Sequence, residues 1–152
     1  MTELASALKL LAVGFLGVFA GANLTEGYLE VPYWKSLTPA EFFSWYAAND
    51  KRLIDYFRPL TIATALVVLS ATIVVWWVRD PARWSITLSA LLVAVMIAMF
   101  FGYFRAANES FSHRSVAPAD LPDALARWGS LHTVRIVLSM LALAASLLSL
   151  RC

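Results

Sequence analysis

The sequence contains little charge and almost no cysteine. Charged residues make up 14% of its 152 residues, whereas a soluble domain carries about 25%. The single cysteine, Cys152, excludes a disulfide within the chain and does not support a thiolate metal cluster. A formal net charge of +2, with scattered basic residues, argues against a nucleic-acid partner.

Several common cofactor motifs are also absent. The sequence has no glycine-rich phosphate loop, no Cys-x-x-Cys and no histidine pair at helical spacing. Its two histidines, His113 and His132, argue against a haem held by two histidines. No cofactor is required by these residues. A single metal held by Glu26, Asn108 and His132 is an alternative, although one nitrogen and two oxygens form a thin ligand set.

Hydrophobic residues are abundant, at 61% of the chain. They concentrate in four runs, each near the ~20 residues that a helix needs to cross a bilayer. The sequence therefore predicts an all-α integral membrane four-helix bundle in one domain, with spans at about 8–31, 57–78, 84–107 and 125–150. The run after Lys9 resembles a signal-peptide core, and we interpret it as the first span. We expect a multi-pass protein of the bacterial inner (plasma) membrane, with the lipid bilayer as its partner.

The connections have their own signals. Pro32 predicts that the first helix ends at this residue or just before it. Residues 38–41, Thr-Pro-Ala-Glu, read as a capping box, and the aromatic residues after them predict a short interfacial helix between the first and second spans. Residues 79–83 predict a tight turn. Gly14, Gly17 and Gly21 share one side of the first helix, which predicts a close contact with another helix.

Ionisable groups inside membrane segments are costly and mark functional sites. Three sets of polar residues stand out at helical spacing: Asn23, Glu26 and Glu30; Trp128, His132, Arg135, Ser139 and Ser146; and Arg105, Asn108, Glu109 and Ser112. The first set predicts one shared face. The second predicts a stripe that faces the bundle interior. Arg135 needs an anionic or carbonyl partner, for which Glu26 or Glu30 is the natural candidate.

All three sets are predicted at the end of the bundle with the longer connections. Aromatic residues of the first connection, Tyr33, Trp34, Phe42, Phe43, Trp45 and Tyr46, would lie over that end. Apolar walls around a few polar groups describe a small-molecule pocket. Three alternatives stay open: aromatic anchors at the membrane interface, glutamates wetted at the headgroup level, and a purely structural Glu–Arg pair.

The fourth-helix motif resembles a known family signature. Trp128, followed by Leu131-His132-x-x-Arg135, is similar to the Trp…Leu-His-x-x-Arg pattern of the DUF1772, or anthrone oxygenase-like, membrane family. Asn108 resembles the asparagine of that family's third-helix Pro-x-Asn motif, with Ala106 in place of the proline. Residues 33–37 and 57–61 are also similar to its bacterial members.

The resemblance implies a four-helix membrane oxidoreductase that oxidises a lipophilic aromatic small molecule with molecular oxygen and no evident cofactor. His132 would be the base, Asn108, Trp128 and Arg135 would be hydrogen-bond donors, and Glu26 would orient the imidazole. The alternative is a non-catalytic accessory or structural subunit of a larger membrane complex. Homo-oligomers fit either function. A transporter is less well supported, because no repeat is evident.

Overall fold

The chain folds into long helices that run up and down beside one another. The computed structural model describes residues 2–151, so Cys152 lies outside the described residues. In this range four helices are long and apolar enough to cross a membrane: Glu3–Ser36, Pro39–Trp77, Arg83–Ser112 and Leu121–Arg151. The first helix packs against the second and fourth, and the third packs against the same two. The prediction of an all-α, multi-pass membrane bundle is confirmed.

The second helix is longer than the sequence indicated. It begins at Pro39 and runs without a break to Trp77, over 39 residues. The predicted capping box is present: the Glu41 backbone N–H donates to Thr38 Oγ1, and the Thr38 N–H donates to Glu41 Oε2 at 2.8 Å. The prediction of a separate interfacial helix is wrong, because nothing in residues 39–55 interrupts this helix once it is capped. Its aromatic residues turn inward instead.

Two of the three helices that carry the polar residues are each interrupted by a π turn. Glu26–Glu30 interrupts the first helix and Phe100–Phe104 the third, and α-helix resumes after each. The prediction that Pro32 ends the first helix is therefore wrong, since the helix continues to Ser36. A proline ring crowds the carbonyl one turn before it, and the wider π turn directly before Pro32 relieves that crowding.

The predicted tight turn between the second and third helices is confirmed. Asp80 Oδ1 accepts from the Ala82 N–H at 2.7 Å, and Arg79 adopts a positive φ of 54°. Lys9 Nζ lies 3.0 Å from Asp80 Oδ2, and both side chains are largely buried. This ion pair joins the first helix to the turn.

The bundle has two cores of different composition. The part near the termini, which we call the aliphatic half, is built on small and aliphatic side chains with one phenylalanine and one methionine: Ala5, Ala12, Leu16, Phe19, Val68, Ala71, Val75, Ile86, Val93, Met96 and Ala142. The opposite part, the aromatic half, is rich in rings: Val31, Trp34, Phe42, Phe43, Tyr46, Phe104, Phe111, Leu121, Leu125 and Trp128. Most of the aromatic residues of the first connection thus form a packed core and are neither a lid nor interface anchors.

Exposed tryptophans indicate where the bilayer lies. Trp77 and Trp84, at the tight turn, are 77% and 65% exposed, as expected at a membrane interface. A hydrocarbon core of about 30 Å spans about 20 helical residues. Counting from these tryptophans, the opposite interface falls near Arg58 on the second helix and Tyr103 on the third. The aliphatic half therefore lies in lipid, and the aromatic half projects beyond the hydrocarbon.

The glycine contact predicted for the first helix is wrong within this chain. A Cβ atom added at Gly14, Gly17 or Gly21 would meet nothing within 4 Å. This side of the helix faces outward, because the buried side chains of the first helix lie on its other side.

Candidate functional site

His132 is buried where the two halves meet, with 1% of its surface exposed. Its Nε2 lies 2.9 Å from the backbone oxygen of Asn23. Because a carbonyl only accepts, Nε2 carries the proton and donates. The Asn23 oxygen is available just before the π turn, where the hydrogen-bond register of the first helix changes. The second ring nitrogen, Nδ1, therefore carries no proton in the neutral ring and faces one other side chain.

That neighbour is the carboxylate of Glu26. Its Oε2 lies 3.5 Å from His132 Nδ1, which is longer than a hydrogen bond. Neither atom has a hydrogen-bond partner in the described part of the chain. A proton on either atom, with a shift of about half an ångström, would complete the contact. The two side chains form a buried pair that can share one proton.

Glycine allows this pair to form. A Cβ at Gly27 would lie 2.5 Å from Ile136 Cδ1 and 3.2 Å from His132 Cδ2. A larger residue at this position would require the Ile136 side chain to move and would crowd the His132 ring. Gly129 serves the same contact one turn away, where a Cβ would meet Val31 Cγ1 at 3.1 Å.

Trp128 connects the histidine to the third helix. Its ring stacks on His132, with centroids 4.9 Å apart and planes inclined by 19°. Its Nε1 donates to Asn108 Oδ1 at 2.9 Å. Phe104 and Trp34 pack edge-on against it, each with a centroid distance of 5.2 Å. The orientation of Trp128, and through it that of His132, is thus held from three sides.

Arg135 lies one turn further along the stripe. Its guanidinium carbon is 4.6 Å from the centre of the Phe104 ring, a cation–π contact. No ion pair joins Arg135 to Glu26 or Glu30 among residues 2–151, so the predicted direct pairing is wrong. The guanidinium lies over the Phe104 ring instead of against a carboxylate, and its Nε is buried without an acceptor in that range.

A cavity of about 810 Å³ lies beside these residues. Its polar inner wall is formed by Glu26, Asn108, Trp128 and Arg135. Ile62, Leu66 and Phe101 also line it and are exposed on the outer surface of the second and third helices. We therefore describe it as a lateral cleft, open between these two helices on the apolar outer surface of the bundle. Its outer end carries charged side chains, Asp50, Arg58, Arg105 and Glu109.

The cleft brings together four of the five predicted site residues. His132 does not line it; the imidazole lies behind Glu26 and Trp128, in contact with both. The predicted inward stripe on the fourth helix is confirmed, since Trp128, His132, Ser139 and Ser146 are buried. Ser139 Oγ donates to the Ile136 carbonyl within its own helix.

Other predicted residues lie elsewhere. Glu30 does not line the lateral cleft that Glu26 lines. It lines a separate groove between the first and second helices. Arg105 and Glu109 form an exposed ion pair of 3.0 Å at the outer end of the cleft.

Sequence reasoning missed two contributors to the site. Phe104 touches both Trp128 and Arg135, and Gly27 admits His132. Gly27 carries a usable signal, since a glycine directly after a buried glutamate in a membrane helix indicates a close neighbour. Phe104 is one of several phenylalanines in its segment and carries no such signal.

The site offers a thin set of metal ligands. Within residues 2–151, no group of three or more histidine, cysteine, aspartate or glutamate side chains is placed to hold a metal ion.

No protein-family model matches the chain, no curated protein matches it in sequence, and no solved structure matches it in fold.

Proposed function

We propose that this protein is a small membrane oxidoreductase of the anthrone oxygenase-like type, acting in the bacterial plasma membrane on a lipophilic aromatic small molecule. The observation that carries the proposal is the lateral cleft, which opens towards lipid and ends at Glu26, Asn108 and Arg135. A substrate dissolved in the bilayer could enter it without crossing water. The resemblance of Trp128, His132 and Arg135 to the DUF1772 signature supports the same function.

In this proposal Glu26 is the base, and His132 takes the positioning role that the sequence predicts for Glu26. The Glu26 carboxylate lines the cleft, whereas His132 is reached only through it. His132 is then a positioning residue, which holds one carboxylate oxygen and can share its proton. Arg135 and Asn108 face the space where negative charge would develop on a substrate oxygen.

The proposed reaction converts a methylene group between two aromatic rings into a carbonyl. Glu26 accepts one proton from the carbon, and the resulting anion, delocalised onto a ring-attached oxygen, adds molecular oxygen to give a peroxide anion, which Glu26 protonates to a hydroperoxide. Glu26 then takes the second proton from the same carbon as the O–O bond breaks and the carbonyl forms, and the departing hydroxide takes up that proton and leaves as water. Carbon is oxidised and oxygen is reduced, so that one methylene group and one oxygen molecule give one carbonyl group and one water molecule.

The test is oxygen consumption by the detergent-purified protein with an anthrone as probe. Glu26→Gln removes the base but keeps the shape, and it is expected to lower the rate about 10²- to 10⁴-fold. Glu3→Gln, at the exposed far end of the first helix, is the matched control and should match the native rate. His132→Ala should lower kcat less than Glu26→Gln does, and it should shift the pH dependence of kcat.

The same variants can overturn the assignment of roles. If His132→Ala abolishes turnover while Glu26→Gln retains it, His132 is the base, as the sequence alone predicts. If the native protein consumes no oxygen with any anthrone, the oxygenase function is rejected.

A second candidate is a non-catalytic accessory subunit, and one observation favours it. Gly14, Gly17 and Gly21 face outward with open space around them, as a helix of another chain would require. Native mass spectrometry of the protein purified from its host in mild detergent separates the two functions. Defined partner subunits would favour the accessory function, whereas a monomer or homo-oligomer would leave the oxidoreductase.

A further inference from the structure

A second cavity, of about 560 Å³, lies on the outside of the bundle between the first and second helices. We call it the outer groove. Its lining divides into an apolar part, with Val18, Gly21 and Ala22, and a polar part, with Glu30, Asn49, Arg52 and Tyr56. Leu53 and Phe57 separate it from the lateral cleft, since both residues line both cavities.

The division follows the depth of the membrane. Arg52 and Tyr56 precede Arg58, which we place at the interface, so the polar part lies among the headgroups. Val18 and Gly21 lie about two to three helical turns before Glu30, inside the hydrocarbon. Val18 is 57% exposed, and a Cβ at Gly21 would meet nothing within 4 Å. The groove is therefore charged where a lipid is polar and apolar where a lipid has its chains.

Two opposite charges face this groove without neutralising each other. Glu30 and Arg52 both line it, yet no ion pair joins them in the described part of the chain. The Glu30 Oε2 atom also has no hydrogen-bond donor there. A ligand with a cation and an anion a few ångströms apart would satisfy both side chains.

We propose that the outer groove binds one phospholipid with a primary ammonium headgroup, of the phosphatidylethanolamine class. Its phosphate lies at Arg52, its ammonium donates to Glu30, and one acyl chain lies along Val18 and Gly21. A primary ammonium brings three N–H donors for the carboxylate, whereas a choline headgroup brings none and a glycerol headgroup has no cation. The inference is independent of the proposed oxidoreductase activity, because none of these residues belongs to the cleft wall.

The experiment uses the full protein in nanodiscs containing equal parts phosphatidylethanolamine, phosphatidylcholine and phosphatidylglycerol. Native mass spectrometry identifies the lipid that stays bound after release. One phosphatidylethanolamine should be retained about tenfold over either competitor, the ratio expected of one charge-assisted hydrogen bond. Glu30→Gln should make the three lipids equal, whereas Glu3→Gln should leave the preference intact.

Filling the groove gives an independent test. Gly21→Leu should abolish lipid retention, while Gly14→Leu, in the same helix and with equally open surroundings, should not. Thermal unfolding of both variants checks that the fold is kept. Equal retention of the three lipids by the native protein, or equal retention by the two leucine variants, would overturn the proposal.

Discussion

The aliphatic half and the aromatic half bury their cores by different means. Around the aliphatic half the outer surface is as apolar as the interior, with exposed side chains such as Leu66, Leu69 and Leu91. The hydrophobic effect therefore cannot decide which residues face inward there, and close packing with a few polar contacts must do so. Ser89 Oγ, for example, donates to the Ala142 carbonyl at 2.8 Å and joins the third helix to the fourth.

In the aromatic half, which we place beyond the hydrocarbon, the core is built of rings. Burial of large rings is favourable there in the ordinary way, and their edge-on contacts add geometric preference. Trp34 alone contacts Phe42, Trp45, Tyr46 and Trp128. The candidate site lies at the junction, where rigid aromatic packing holds polar side chains at the edge of the lipid. Each half should therefore respond to a different kind of substitution.

The largest effect is expected from the polar contact at the end of the aliphatic half. Lys9→Met should destabilise the protein by about 3–5 kcal/mol, because it leaves the largely buried Asp80 carboxylate without its counter-ion. The measurement is the free energy of unfolding in mixed micelles. The double variant Lys9→Met with Asp80→Asn should recover most of the loss. If Lys9→Met alone leaves the free energy of unfolding unchanged, packing alone specifies the fold of this half.

Glycine substitutions sharpen the comparison along a single helix. Gly27→Ala should cost about 1–3 kcal/mol, because the new Cβ would meet Ile136 Cδ1 at 2.5 Å. Gly17→Ala, with nothing within 4 Å, should instead stabilise by about 0.5–1 kcal/mol through helix propensity. Thermal unfolding of the two variants provides the measurement. Adding Ile136→Val to Gly27→Ala should restore part of the stability, and failure to do so would show that the clash is not at Ile136.

The features predictable from the sequence were those that follow one helical period. The four membrane helices, and the buried stripe of Trp128 and His132, both depend on regular spacing within one segment. The capping box at Thr38 and Glu41 is likewise local, since its two partners lie three residues apart. Such features require no knowledge of the neighbouring helices.

The features that could not be predicted depend on contacts between helices or on a change of period. The π turn at Glu26–Glu30 breaks the 100° repeat on which the sequence prediction rests, and Glu30 lines a different cavity from Glu26. The sequence predicts a glutamate partner for Arg135, but the guanidinium lies over Phe104, which comes from another helix and is placed there only by the fold. Helical periodicity predicts the direction in which a side chain points and not its distance from the cleft, so the position of His132 behind Glu26 could not be predicted.

The smallest expected effect tests whether the two halves are independent. Thr38→Ala removes the cap of the second helix and should cost about 1 kcal/mol. Because this helix continues from Pro39 into the aliphatic half, the loss could spread or stay local. We expect faster amide hydrogen exchange in the first turns of the helix and no change beyond residue 62, since stable packing confines local opening. Thr72→Ala, which removes a hydrogen bond to the Val68 carbonyl near the other end of the same helix, is the control and should leave exchange near Pro39 unaltered. Faster exchange along the whole helix in Thr38→Ala would show that the halves unfold as one unit, and the contrast between them would then be one of composition only.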